Sequence, residues 1–527
     1  MSAALLERQR RVAYGDFQTP PELALAVCRI LQAERPRTLL EPTCGTGAFL
    51  SAALERGCFP ELLIALGQDI NPRYVASARR AARQTSSTAR CRVRVGDFFQ
   101  TDWSDLLSDC AEPLLIVGNP PWVTNSALGT LGSSNLPPKQ NLPGRSGLEG
   151  LTGKSNFDVS EWMIFRLLQA IVGRRATLAM LCKTAVARRV LSRAWETGLP
   201  IASCEIRPID AVRHFGARVD ACLLICRCRN SSVDSATDVG ECRVFANLES
   251  GQITRTFGWR DGRLIADIGA YERVKHLLAG GDHVRWRSGI KHDCSAVFEC
   301  RDDANGTFVN GLGEVVDLEE DYLYPLVKSS DVARGNARLS NRWMLVPQRR
   351  VGEETDSIAH RAPATWKYLW RHAERLNRRA SRVYRNQPPF SIFGVGPYTF
   401  APWKVVVSGF YKTLRFMAVG CANGQPTVCD DTCYFLPCET RDEAQTLARL
   451  LNGPFAREFF SAFVFPDAKR PLTAEILGSL DLVSLRKPRK RCKTGTRNDG
   501  FPRNRSQARR TTGCCGVVRD ASPAEET

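Results

Sequence analysis

The chain has 527 residues, room for two to four domains at roughly 150 residues each. Its 73 Lys and Arg against 55 Asp and Glu give a formal charge of +18, which suits a polyanionic partner. No apolar run reaches the roughly 18 residues that span a bilayer, and Met1 to Asp16 is charged rather than signal-like, so a membrane protein is excluded and a cytoplasmic one expected.

Pro21 to Leu31 reads as the first helix, with Pro in its opening turn and Leu23, Val27, Ile30 and Leu31 on one face. Thr38 to Leu50 has the form of a strand, a glycine turn through Gly45 and Gly47, and a helix start, the arrangement that lets backbone approach a ligand beside a helix N-terminus. A lone Gly-x-Gly is a weak signal. Its weight grows because Ile64 to Asn71 ends a second strand on Asp69, about 20 residues on, where a ribose-binding acid is expected. A third strand, Cys91 to Val95, ends in Gly96-Asp97-Phe98-Phe99, where an Asp can accept from an adenine amino group while a Phe covers the ring.

The fourth strand, Leu114 to Gly118, runs into Asn119-Pro120-Pro121-Trp122. An exocyclic amine on an aromatic ring is a poor nucleophile because its lone pair is delocalised. An Asn oxygen and a proline-held carbonyl accept both N–H hydrogens and free that lone pair, while Trp offers a face for stacking. Asn-Pro also marks ordinary turns, so the tetrapeptide alone reads equally as a strand end. Four strand ends bearing ligand-type residues, however, match the rule that open α/β sheets bind ligands at strand C-termini.

Residues 123 to 153 are rich in Gly, Ser and Pro and read either as a loop that orders on substrate or as a surface insertion. A helix through Trp162, Phe165 and Leu168 follows, then a strand, Ala176 to Leu181. From 235 to 485 the composition shifts to short strands, aromatics and arginines. Arg342 to Arg385 holds eleven bases against four acids, interleaved with Trp343, Trp366, Tyr368, Trp370 and Tyr384, which suits either a phosphate-gripping surface or a solvated helix with a half-buried aromatic stripe. Thr440 to Glu443 has capping-box spacing and opens a helix stopped by Gly453-Pro454. Arg486 to Arg510 alone holds eleven bases and one acid, almost without apolar residues, and reads as a disordered tail. The twenty cysteines lie mostly singly in apolar segments; Cys421, Cys429, Cys433 and Cys438 fit no known zinc spacing, and no metal is expected.

These motifs together resemble the gamma-class N6-adenine DNA methyltransferases of restriction–modification systems. Phe17-Gln18-Thr19-Pro20, Glu41 to Phe49, Asp69, Asp97-Phe98, Asn119 to Trp122, Lys154 to Phe157 and His214 to Val219 stand where that family has its motifs, while Cys182-Lys183-Thr184 departs from the proline many relatives carry. The resemblance implies an α/β, Rossmann-like S-adenosylmethionine-dependent methyltransferase domain with a mostly parallel sheet over 1–234, a C-terminal α+β target-recognition domain over 235–485 and a basic tail over 486–527. It implies a cofactor site of Phe17, Thr19, Glu41, Gly45, Gly47, Asp69, Asp97 and Phe98. Its catalytic set is Asn119, Pro120, Pro121, Trp122 and Phe215, the last stacking on a flipped base. Double-stranded DNA is the implied partner, with a separate restriction endonuclease possible. Two rivals remain: a protein-glutamine N-methyltransferase, since a side-chain amide presents a similar NH2, and a non-catalytic DNA-binding subunit. The arginine and aromatic content of the C-terminal half favours DNA over the first, and the intact tetrapeptide and glycines disfavour the second.

Overall fold

Strands β1 (Thr38–Glu41), β4 (Leu114–Gly118) and β5 (Ala176–Lys183) are buried along almost their whole length because helices cover both their faces. Successive side chains alternate between two cores. Leu114, Ile116, Leu178 and Met180 pack with the helices Val159–Ile171 and Thr184–Glu196. Leu115, Val117, Ala179 and Leu181 pack with Pro21–Ile30 and Ala48–Ala53 on the other side. The computed structural model describes residues 17–124 except Ser86, 158–229, 240–280, 284–302, 307–335, and 341–486 except Lys412, Pro466 and Lys469. The loop expected over 123–153, beyond Thr124, the Lys154 to Phe157 motif and the tail after Arg486 lie outside the described residues.

Strands β2 (Ile64–Asp69), β3 (Arg90–Val95), β6 (Ser203–Ile209) and β7 (Ala221–Cys228) complete the core of the first sheet. Its order there is 3-2-1-4-5-7-6, with β7 antiparallel to both neighbours and β1 to β5 mutually parallel. The chain builds outward from β1 through β2 and β3, then returns to lay β4 and β5 on its other side. The order therefore reverses between β1 and β4, and the crevice at their C-terminal ends is where such sheets take ligands.

The sheet does not stop at residue 234, where composition suggests a boundary. Strands β8 (Glu241–Phe245), β9 (Ile253–Arg260) and β10 (Arg263–Ile265) extend it beyond β6 to ten strands. Backbone hydrogen bonding of β8 to the open edge of β6 covers that edge. Ile265 then shares a core with the helices Ile268–Val274, Arg441–Leu451 and Pro454–Phe463, so the described residues form one compact unit ending at Arg486. Arg188 adds an ion pair to Asp467 and lies 4.4 Å over the Phe465 ring.

The C-terminal half is α+β. Strands β11 (Arg287–Ser288), β17 (Trp403–Ser408), β18 (Phe416–Val419) and β20 (Cys433–Cys438) form a sheet in the order 11-20-17-18. A second sheet is ordered 14-13-12-16-15-19, from β12 (Glu299–Asp302), β13 (Phe308–Asn310), β14 (Val315–Val316), β15 (Leu323–Val327), β16 (Arg342–Leu345) and β19 (Val428–Cys429). The aromatic run at 343–384 divides: Tyr368 is buried with its hydroxyl donating to the Val297 carbonyl at 2.8 Å, whereas Trp370 stands exposed. Thr440 caps its helix as expected, accepting from the Glu443 N–H at 3.2 Å. Among the described residues no helix is long and apolar enough to cross a membrane, and no three His, Cys, Asp or Glu gather as a metal site.

Candidate active site

A cavity of about 350 Å³ opens at the C-terminal ends of β1, β2, β3 and β4. Of the residues expected there, Phe17, Thr19, Glu41, Gly45, Asp69, Phe98, Asn119 and Pro121 line it. Each is placed by a local device. Gly45 takes φ +50, and a side chain there would strike Gln18, whose Oε1 accepts from the Thr46 N–H at 3.1 Å and so pins the segment before the first helix onto the turn. Gly47, at φ +87, does not line the cavity; a Cβ there would sit 2.8 Å from that of Ala78, so its function is close packing of two helices. Asp69 ends β2 and accepts from the Gly45 N–H and the Asn71 N–H, both at 2.8 Å, which joins the second strand end to the glycine turn.

Among the described residues, Glu41 and Asp69 are the only charged ones lining the cavity. Glu41 is 3 % exposed and accepts from the Leu50 N–H at 3.1 Å. Burial raises its pKa well above the ordinary carboxylate range despite that bond, and the Asp69 charge adds to the rise. A buried acid next to a second acid, with no base among the lining residues, is an environment that a cationic ligand neutralises.

Asn119 sits at the mouth. Its Nδ2 donates to the Phe17 carbonyl at 2.7 Å and to Thr19 Oγ1 at 3.3 Å, so the Phe17 to Pro20 segment fixes the amide. Its Oδ1 is buried and has no hydrogen-bond partner, and the Thr43 hydroxyl on the same cavity wall is likewise unpartnered. Buried polar atoms are nearly always satisfied, so two orphans on residues of one cavity wall mark places for ligand atoms.

Besides Gly47, four further expected residues stand outside the lining. Asp97 does not line the cavity: its Oδ1 accepts from the Phe99 N–H at 2.8 Å, closing the turn after β3, and its neighbours Gly96, Phe98 and Phe99 take the wall instead. Trp122 is 5 % exposed, packed 5.7 Å from Phe17 and 5.0 Å from Phe215 by ring centroids, with its indole N–H on the Leu181 carbonyl at 3.3 Å. A ring can stack on it only if Phe17 or Phe215 moves. Pro120 and Phe215 also stand outside the lining, Phe215 at the end of the helix Ala211–Phe215. Conversely Val159 and Met163 join Val123 on the wall; they come from beyond the undescribed 125–157 segment, and no local pattern in the sequence ties them to it.

No protein-family model matches the chain. The type II methyltransferase M.NspV of Nostoc sp. (strain ATCC 29411 / PCC 7524) is 43 % identical over 479 residues, which are 90 % of this chain and 98 % of that protein. The chain belongs to the type II methyltransferases. A second, M.CvrRI of Paramecium bursaria Chlorella virus XZ-6E, is 32 % identical over 119 residues, 23 % of this chain and 27 % of its own. Among solved structures, the type IIL restriction–modification enzyme MmeI in complex with DNA shares the fold at a TM-score of 0.51 and 13 % identity, covering 91 % of this chain and 67 % of that one.

The methyl donor of this methyltransferase is S-adenosylmethionine, and the cavity fits it. The donor carries a positive sulfonium and an ammonium, which Glu41 and Asp69 would neutralise; its ribose hydroxyls could donate to Asp69, and its adenine would lie against the wall of Phe98 and Phe99.

Proposed function

We propose that this methyltransferase transfers its methyl group to N6 of an adenine in duplex DNA, with the target nucleotide rotated out of the helix to the mouth of the cavity. The observation that carries the reading is the unpartnered, buried Oδ1 of Asn119 beside the cofactor cavity. The fixed Nδ2 bonds hold that oxygen still, so it is an acceptor set in advance for an N–H. The Pro120 carbonyl, held by two consecutive prolines, is the second acceptor. With both amine hydrogens accepted out of the ring plane, the nitrogen lone pair turns away from the ring and toward the donor.

S-adenosylmethionine, when bound, supplies a methyl group already activated by the sulfonium charge. The residues of the chain bind, orient and exclude water. Glu41 and Asp69 hold the positive end, and Gly45, whose N–H donates to Asp69, lies on the same wall. Rotating a base out costs a few kcal/mol of stacking and pairing, which contacts to Asn119, Phe215 and, once the aromatic cluster parts, Trp122 offset. The methylated amine sheds its extra proton readily, so a strong general base is unnecessary. Residues beyond β10, with their arginines and exposed aromatics, are the proposed reader of DNA sequence, and protection against a separate cognate nuclease is the proposed purpose.

The test is to incubate the full chain with isotopically labelled donor and duplex DNA, then identify the labelled nucleoside by mass spectrometry. N6-methyladenine at one short sequence is the expected product. Label on N4 of cytosine, or on protein glutamine with none on DNA, overturns the reading.

A further inference from the structure

Lys183 is the last residue of β5, and it reaches across to the catalytic turn. Its Nζ donates to the Trp122 carbonyl at 3.0 Å and pairs with Asp158 Oδ2 at 2.6 Å. Asp158 is buried, and its other oxygen caps the helix Val159–Ile171, accepting from Ser160 N and Oγ at 3.3 and 2.5 Å. The two segments are further joined by the Val159 N–H on the Val123 carbonyl at 2.9 Å and by an antiparallel bridge between Thr124 and Asp158. Trp122 is thus held to β5 twice, by its indole on Leu181 and by its carbonyl on Lys183. The other end of the tetrapeptide is held by Phe17 through Asn119.

Charge-assisted bonds of this kind are stiffer than neutral ones, and Lys183 is the group that satisfies both the Trp122 carbonyl and the Asp158 charge. We infer that Lys183, with Asp158 as its counter-charge, is a positioning residue that sets the orientation of the Asn119 to Trp122 turn toward the methyl donor. The inference rests on the proposed acceptor function of that turn. Lys183 is not itself among the residues lining the cavity, whereas its neighbours across the turn, Val123 and Val159, are. Its effect on the reaction is therefore indirect: it keeps the acceptor oxygen from drifting, and a displacement of about 1 Å in such a site costs on the order of 100-fold in rate.

The experiment compares Lys183→Met, Lys183→Arg and Asp158→Asn in the full chain, measuring kcat per cofactor-binding site, with site number and cofactor Kd taken from calorimetry. Asn caps helices as well as Asp, so Asp158→Asn removes the charge while leaving the cap. Lys183→Met and Asp158→Asn are expected to lower kcat per site about 10-fold to 100-fold with cofactor Kd within about twofold of wild type, and Lys183→Arg to recover part of the loss. A kcat per site within about twofold of wild type in Asp158→Asn, or a loss in every variant that falling site number fully explains, overturns the inference. Should Lys183→Met not fold, the Asp158→Asn and Lys183→Arg pair decides by the same criteria. The wild-type product is identified in parallel. A methyl group found on another acceptor refutes the adenine reading, and the Lys183 comparison is then read on that acceptor.

Discussion

Replacing Asn119 by Ala separates chemistry from binding. The side chain makes two bonds to the protein, at 2.7 and 3.3 Å, and offers one buried oxygen that nothing in the protein uses. Losing the first two leaves the Phe17 carbonyl and the Thr19 hydroxyl short of a donor, about 1 to 3 kcal/mol of stability at most. Losing the oxygen removes one preorganised contact made to the reacting amine. By the measured effect of deleting a single such group, that is about 2.7 to 4 kcal/mol of transition-state stabilisation, or ~10²-fold to 10³-fold in kcat. In the proposed site the cofactor is held elsewhere, by Glu41, Asp69 and the Gly45 turn, so its Kd should stay within about twofold. Asn119→Asp is a sharper control, because it keeps the shape but sets a carboxylate oxygen where Nδ2 now donates to Phe17 at 2.7 Å. Repulsion should turn that group away, and Asp should be as inactive as Ala. Single-turnover transfer of labelled methyl groups and calorimetric titration of the cofactor measure both quantities. An Ala variant with kcat within tenfold of wild type, or one whose activity falls only because the cofactor no longer binds, would refute the reasoning.

As the proposed partner of the cofactor's positive end, Glu41 should make cofactor binding pH-dependent. Burial raises its pKa and a bound cation would lower it again, so binding should release protons; cofactor affinity should rise with pH and flatten in Glu41→Gln, as calorimetry in buffers of different ionisation enthalpy will show. For stability the sign is opposite: with a folded pKa above the unfolded one, its contribution is full at low pH and is lost as pH rises through the folded value. Gly47→Ala puts a methyl group 2.8 Å from Ala78 Cβ on a backbone at φ +87, and should cost about 1 to 3 kcal/mol in denaturant unfolding. An unchanged midpoint would show that the two helices part freely. Exchanging the C-terminal half with that of a type II methyltransferase of different specificity should move the methylated sequence if the junction follows Ile265, whereas a junction at 234 cuts β8 from β6 and should give insoluble protein.

Local chemistry made much of this protein legible in its sequence. A glycine turn after an apolar strand, an acid at the end of the next, and Asn-Pro-Pro-Trp at the end of the fourth each declare themselves within a few residues, because strand burial, turn geometry and ligand-type side chains are short-range properties. That determined the Rossmann-like fold and the strand ends, Asn119 among them, that line the cavity. What depends on contacts between distant segments was decided only by the tertiary structure. Asp97 stands at a strand end as expected, yet its Oδ1 accepts from the Phe99 N–H and it does not line the cavity. Trp122 looks like an open face in the sequence and is covered by Phe17, more than a hundred residues earlier, and by Phe215, nearly a hundred later. Lys183 reads as part of a loop after Leu181 that lacks the family's proline, and its function shows only once Asp158 and the Trp122 carbonyl are folded against it. The continuation of the sheet past 234 was hidden for the same reason: composition changes there, but the open edge of β6 needs hydrogen-bond partners, and β8 supplies them.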